Sequence, residues 1–161
     1  MNDAAKREDF PVEAERWLRA SGLADELGFI VSRVRSEIMI PIEETMEGHG
    51  LKRHAYAVLA LACTELGPTQ RELASIVRLD PSRLVSVLDD LESEGLVARR
   101  QDPLDRRSRR IQATDEGRVV RAQAAEAVGA TIDELLHVFT SGERRSLVDL
   151  LQRLAFCGDK G

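Results

Sequence analysis

The chain has 161 residues, of which 43% are hydrophobic and 4% aromatic, and it carries a net charge of −5 at pH 7. This composition excludes an intrinsically disordered protein, and the scarcity of aromatic side chains argues against a stacking platform for single-stranded nucleic acid. No apolar stretch approaches the ~18 residues of a membrane span, and the N-terminus has no apolar signal region, so we expect a cytoplasmic protein.

Helices are predicted throughout the first 66 residues. Residues 1–22 form an N-terminal extension, in which residues 11–20 are expected to make a short helix that carries Trp17. Residues 23–47 show a long helical pattern, which Pro41 is expected to kink or divide. A third helix is predicted over residues 51–66, and Gly67-Pro68 after it offers a short third strand to a small sheet. The apolar positions of the two longer helices are Leu27, Ile30, Val31, Val34, Ile38 and Ile42, then Ala55, Val58, Leu59 and Ala62.

A helix-turn-helix is predicted next, from two helix starts written close together in the sequence. Thr69 and Glu72 have the spacing of a capping box, which begins a helix that ends near residue 77. Asp80-Pro81 combines a strong N-cap with a proline at the first helical position, and this second helix is expected to run to about residue 94 and stop at Gly95.

The second of these helices is amphipathic. Its apolar stripe is Leu84, Leu88 and Leu91, and its opposite face carries Ser82, Ser86, Asp89 and Ser93, with Arg83 at the side. Short hydroxyls and an arginine near the N-terminal end suit a recognition helix in a DNA major groove. Taken alone, the same pattern is also compatible with a simple solvated face.

An arginine-rich hairpin follows the helix-turn-helix. Residues 97–112 hold six arginines against two aspartates, a local charge of +4, so the rest of the chain sums to −9. One concentrated basic segment on an acidic chain is typical of a protein that presents a single patch to phosphate. Residues 97–101 and 110–114 are predicted to be strands joined by a Pro-Asp turn, and a hairpin beside a helix-turn-helix is a winged helix. Its tip can place an arginine in the minor groove.

Two more helices are predicted after the hairpin. Residues 115–139 form a long alanine-rich helix, and Thr140 with Glu143 repeats the capping-box spacing before a terminal helix. Its apolar stripe is Leu147, Leu150, Leu151 and Leu154. A terminal helix with a strong stripe and no sheet to cover needs a partner, so we expect a two-fold homodimer.

The segment 69–114 resembles the winged helix of the MarR (multiple antibiotic resistance regulator) family of bacterial transcription factors. The resemblance rests on Leu91-Glu92-x-x-Gly95-Leu96-Val97-x-Arg99, then Asp102-Pro103-x-Asp105-Arg106-Arg107, and a closing Thr114-x-x-Gly117. It extends over roughly residues 23–156. It implies that Arg107 enters the minor groove, that Asp105 braces the wing arginines, and that the first and last two helices form the dimer interface.

The predicted fold class is therefore mainly α with a small β wing, a winged helix-turn-helix inside a helical dimerisation domain. After the extension, residues 23–66 supply dimerisation helices and the start of the winged helix, residues 67–114 the helix-turn-helix and wing, and residues 115–157 the C-terminal dimerisation helices. The predicted DNA contacts are Thr69, Gln70, Ser82, Arg83, Ser86, Arg106, Arg107, Arg109 and Arg110. Ser82, Arg83 and Ser86 are assigned to base edges and nearby phosphates, and Arg106, Arg109 and Arg110 to backbone charge. Thr69 and Gln70 offer a helix N-terminus to phosphate.

The predicted function is a dimeric regulator, most simply a repressor, that binds a near-palindromic operator in double-stranded DNA. The family resemblance further implies a small aromatic or phenolic effector, for which the candidate lining residues are Trp17, Arg53, His54 and Tyr56. The alternative is a redox or ligand sensor that acts through protein partners. No catalytic constellation, cofactor loop or metal-ligand cluster is recognisable, so we expect no enzyme. Cys63 is interpreted as a small core residue, and an intersubunit disulfide at Cys157 is left open.

Overall fold

The computed structural model describes residues 12–102, 105 and 108–157. The chain forms two compact units, Met1–Ile40 and Pro41–Gly161, and the boundary falls inside its second helix. In order, the elements are α1 (Val12–Ser21), a 3-10 turn (Leu23–Asp25), α2 (Leu27–Glu47), α3 (Arg53–Ala62), α4 (Gln70–Val77), α5 (Pro81–Ser93), β1 (Val97–Gln101), β2 (Arg109–Ala113), α6 (Asp115–Leu135) and α7 (Ser141–Ala155).

The core of the second unit lies where α3, α4, α5 and the hairpin meet. Leu59, Leu73, Leu84 and Leu88 have no exposed surface at all, and Ile111 of β2 completes the cluster from the sheet. The predicted stripe of the second helix of the pair is therefore confirmed as its buried face. Since each of these leucines contributes roughly 1.5–3 kcal/mol of burial, this cluster fixes how the three helices cross.

The helix starts are where the sequence placed them. The Thr69 side chain accepts a bond from the Glu72 backbone N–H while the Glu72 carboxylate accepts one from the Thr69 N–H, a complete capping box. Asp80 caps α5 by accepting from the Arg83 N–H at 3.0 Å. Thr140 repeats the capping box at α7. These ends depend on contacts within four residues, which explains why they could be predicted.

Pro41 does not divide the long helix, because α2 continues through it to Glu47. A proline inside a helix removes the bond to the carbonyl four residues earlier and its ring crowds that carbonyl, but the bonds on either side of the site remain. Just beyond it, the Thr45 hydroxyl donates to the Pro41 carbonyl at 2.8 Å. The same hydroxyl lies 2.9 Å from the Thr131 hydroxyl of α6. This cross-helix bond anchors the C-terminal part of α2 in the second unit.

Two helix ends and one strand also differ from expectation. Helix α3 ends at Ala62 rather than near residue 66, and α6 ends at Leu135 rather than near residue 139. The reason in the second case is the next helix, because Thr140 must be extended to serve as N-cap. The expected third strand is reduced to a single bridge between Thr69 and Arg110 beside the two-stranded antiparallel sheet.

Apolar surface is left open at both ends of the chain. Leu150, Leu151 and Leu154 of α7 are each about half exposed, and no residue of that helix is buried. In the first unit Trp17 is 74% exposed, and Leu27, Val31 and Val34 are exposed as well. None of the described helices is both long and apolar enough to cross a lipid bilayer.

Candidate nucleic-acid interface

Helix α5 presents a short polar surface opposite its leucine stripe. Ser82, Arg83 and Ser86, which the sequence assigned to DNA, are all exposed, and the Arg83 side chain keeps 77% of its surface. The Ser82 hydroxyl donates to Asp80 at 2.5 Å, and this bond together with the Arg83 backbone N–H lowers the pKa of the Asp80 carboxyl. Asp80 therefore stays ionised and holds the first turn, while Arg83 reaches into solvent 3.6 Å from it.

An open groove of about 420 Å³ separates the start of α4 from the hairpin. Thr69 and Gln70, predicted from the helix start, and Arg109, predicted from the hairpin, all line this groove. The structure thus brings together residues that lie about 40 positions apart in the sequence. Its other lining residues include Arg71 and Ser108, which the sequence analysis did not select. No local sequence pattern distinguishes Arg71 and Ser108 from ordinary surface residues.

Arg110 has a different environment from the one expected. Its Nε donates to Asp102 at 2.8 Å and its Nη1 donates to the Gly67 carbonyl at 2.9 Å. The two charged side chains are only 19% and 6% exposed. Arg110 therefore ties the hairpin to the α3–α4 connection, whereas the sequence had assigned it to DNA phosphate. Asp102, which the sequence marked only as a counter-charge, is a further residue whose role sequence reasoning missed.

The backbone at Gly67 lies very close to the backbone of β2. Gly67 has φ +66°, and a Cβ there would lie 2.0 Å from the Ile111 carbonyl oxygen. A side chain would thus collide with backbone as well as strain the dihedral angle. The Ile111 N–H donates to the Pro68 carbonyl at 2.9 Å, so β2 is held directly against the segment that leads into α4.

Two of the predicted DNA contacts, Arg106 and Arg107, lie outside the described residues. Asp105 is described, and its carbonyl accepts from the Ser108 N–H at 2.9 Å, but its role as a brace stays a prediction. Asp89, on the polar face of α5, pairs with Arg99 of β1 at 2.5 Å.

The sequence and the fold of this chain are similar to those of known proteins. A model of the MarR family matches residues 49–108, which include the helix-turn-helix and most of the hairpin. The chain is 37% identical to a MarR-family transcriptional regulator from Rhodococcus sp. RHA1, over 83% of this chain and 95% of that one, with a TM-score of 0.76. The chain belongs to the MarR family. Its helical fold with a two-stranded wing confirms the predicted fold class.

Two further MarR-like structures were solved with bound molecules. CouR from Rhodococcus jostii RHA1, bound to p-coumaroyl-CoA, is 38% identical, with 83% of this chain and 94% of that chain covered and a TM-score of 0.76. The transcriptional repressor CouR bound to a 23-mer DNA duplex is 28% identical, with 83% and 95% covered and the same TM-score. We refer below to the hairpin of this MarR-family chain, residues 97–113, as the wing.

The candidate effector residues of this MarR-family chain are distributed over both units. Arg53 and His54 begin α3, where Arg53 pairs with Glu43 at 3.5 Å and His54 is half-buried. The Tyr56 ring lies under the Arg121 guanidinium of α6, with 4.4 Å between the guanidinium carbon and the ring centre. Trp17 belongs to the first unit. Arg121, which the sequence analysis did not select, also has a buried Nε for which the described residues provide no hydrogen-bond partner.

The remaining candidate chemistry is sparse. Within residues 12–102, 105 and 108–157, no group of histidine, cysteine, aspartate and glutamate side chains could hold a metal ion. Cys63 is half-buried and Cys157 is exposed, and both are free thiols.

Proposed function

We propose that this MarR-family protein is a dimeric repressor that binds a near-palindromic operator in double-stranded DNA and releases it on binding an aromatic or phenolic effector. The proposal rests on the exposed face of α5 with Ser82, Arg83 and Ser86, together with the groove lined by Arg71 and Arg109. Hydroxyls and a guanidinium on the N-terminal turns of such a helix fit the edges of bases in the major groove. CouR bound to a DNA duplex is a relative of the same fold.

The charge distribution supports one orientation on DNA. The basic wing stands on a chain of net charge −5, so phosphate is attracted at the wing and repelled elsewhere. Arg110 and Arg99 are held in ion pairs. Of the other wing arginines, the three proposed to meet DNA are Arg106, Arg107 and Arg109. We propose Arg107 for the minor groove and the other two for backbone phosphates.

The exposed apolar face of α7 supports a homodimer. Leu150, Leu151 and Leu154 lie on one side of a helix in which no residue is fully buried within the protomer. A second copy of the chain can cover this face, together with the apolar residues of the N-terminal unit. Two recognition helices related by a two-fold axis then require half-sites about one helical turn apart.

The stacked pair of Tyr56 and Arg121 supports an aromatic effector with a negative charge. A planar ring stacks on a guanidinium, and the guanidinium binds a carboxylate or phosphate. The relative bound to p-coumaroyl-CoA shows this combination of phenolic ring and anionic group in its own ligand. We propose that Arg53 and His54 also contribute, and that the effector shifts the dimer away from the DNA-binding geometry.

The test is fluorescence anisotropy with the duplex upstream of the protein's own gene, titrated with salt. We expect wild type to bind this duplex far more tightly than a scrambled one. The Arg107→Ala variant should bind about 5- to 100-fold more weakly. Arg153→Ala is the control, since it removes the same charge from an exposed, loosely paired side chain on α7.

Effector action is tested in the same assay. Added p-coumaroyl-CoA should release the duplex, coenzyme A alone should not, and Arg121→Met should raise the concentration required. Equal binding of specific and scrambled duplexes, or no binding at low salt, would reject the repressor proposal in favour of a sensor that acts through protein partners.

A further inference from the structure

Arg99, in the middle of β1, bonds two carboxylates of α5 at once. Its Nη2 donates to Asp89 at 2.5 Å and its Nη1 donates to the Glu92 carboxylate. The Arg99 backbone N–H also donates to Glu92 at 3.3 Å. The side chain is only 23% exposed, and the hydrogen bond that it donates to Asp89 raises the pKa of Arg99. Both the backbone and the side chain of this residue are therefore attached to the same helix.

These bonds act where packing no longer holds the strand. Leu96 and Val97 are buried at the base of the wing, and the Leu96 N–H donates to the Leu91 carbonyl at 2.9 Å. From Val97 onward the strand becomes steadily more exposed, until Arg100 and Gln101 are exposed. Arg99 lies between these two regions. Its contacts with α5 limit how far the outer part of the wing can swing relative to the helix.

We propose that Arg99 is a positioning residue for DNA binding, which fixes the wing to the recognition helix α5 so that both reach their grooves together. This inference rests on the proposed function. A protein that places a helix in the major groove and an arginine in the adjacent minor groove must hold the two at a set distance. A small rotation at the base of a hairpin becomes a large displacement at its far end.

Charge cancellation is the competing explanation for the same contacts. Asp89 and Glu92 are 58% and 40% exposed, and a carboxylate beside phosphate lowers affinity. Arg99 neutralises them in part. The two roles differ in what happens when Arg99 and only one of the two carboxylates are neutralised. The three positions then keep their wild-type net charge, but the tether is not restored.

The experiment is a pair of double-mutant cycles in DNA affinity. Arg99→Met is combined with Arg107→Ala on the wing and, separately, with Arg83→Ala on α5. We expect Arg107→Ala to weaken binding about tenfold in the wild-type background and by less than about threefold in the Arg99→Met background. The effect of Arg83→Ala should be the same in both, because the leucine core holds α5 independently of Arg99. Arg99→Lys should recover part of the loss, since one ammonium cannot bridge both carboxylates as a guanidinium does.

Other outcomes overturn the proposal. If Arg107→Ala and Arg83→Ala both weaken binding less in the Arg99→Met background than in wild type, Arg99 only supports the fold. If neither effect becomes smaller, Arg99 does not position the wing. If Arg99→Met with Glu92→Gln, which keeps the wild-type net charge, binds as wild type does, the residue acts through charge alone. Failure of wild type to bind a specific duplex would instead reject the proposed function, so the two failures are distinguishable.

Discussion

Replacement of Arg110 by methionine tests whether this arginine stabilises the wing or contacts DNA. The substitution removes the bonds to Asp102 and to the Gly67 carbonyl but keeps a long apolar stem. Exposed ion pairs contribute about 0–1 kcal/mol, and loss of one partner of a buried pair costs roughly 3–5 kcal/mol. With the two side chains 19% and 6% exposed, we expect the free energy of unfolding to fall by about 2–3 kcal/mol, an intermediate cost.

The assays are urea unfolding and thermal unfolding, followed by circular dichroism. For a chain of this size, each kcal/mol lowers Tm by about 2–4 °C, so Tm should fall by roughly 4–12 °C. Arg153→Met is the matched control, because its pair with Asp149 is about 70% exposed on both sides, and it should change stability by less than ~0.5 kcal/mol.

The salt dependence of DNA binding separates the two roles. Loss of a phosphate contact reduces the slope of log affinity against log salt by about one, and Arg109→Met should do this. Arg110→Met should weaken binding with the slope unchanged. The reasoning is refuted if Arg110→Met unfolds like wild type, or if it lowers the salt slope as much as Arg109→Met does.

Two further predictions concern α6 and the cap of α4. Gly117→Ala should destabilise the protein by about 1–3 kcal/mol, because the new Cβ would lie 2.0 Å from the Leu96 carbonyl oxygen. The control is Gly129→Ala in the same helix, where the new Cβ meets nothing within 4 Å. This substitution should stabilise the protein by about 0.5–1 kcal/mol. Thermal unfolding compares them, and equal effects would contradict the close approach at residue 117. The Thr69 N–H bond lowers the pKa of Glu72 from its ordinary 4.5, so this carboxylate stabilises the fold above that pH and the contribution is lost on acidification. Stability measured from about pH 6 to pH 3 should therefore fall less steeply in Glu72→Gln than in wild type, and parallel curves would contradict this.

The helix starts, the buried face of α5 and the hairpin strands could be predicted because they depend on local contacts. Thr69 with Glu72 and Asp80 with Arg83 begin their helices through bonds that span three residues, so residue order alone contains them. The leucines of α5 recur with the period of a helix, so they identified its buried face. The opposite face, with Ser82 and Arg83, was therefore predicted to be polar and exposed. The hairpin strands were displaced by one residue at most, because alternation and turn residues set them locally.

Long-range contacts decided the roles of individual arginines. All six wing arginines share one charge and one neighbourhood in the sequence, yet Arg99 is bound by Asp89 and Glu92, and Arg110 by Asp102 and the Gly67 carbonyl. Arg109 is exposed and lines the open groove, which Arg99 also borders. No local pattern separates them, because the hairpin register and the crossing of α5 determine which guanidinium meets a carboxylate.

The sequence by itself determined the winged helix-turn-helix, since caps, periodicity and turn chemistry act over a few residues. The tertiary structure alone decided the stacking of Tyr56 on Arg121 and the closeness of Gly67 to Ile111, pairs that lie more than 40 residues apart. Such pairs depend on how whole elements pack, and the packing is set by the sum of many buried contacts rather than by either residue.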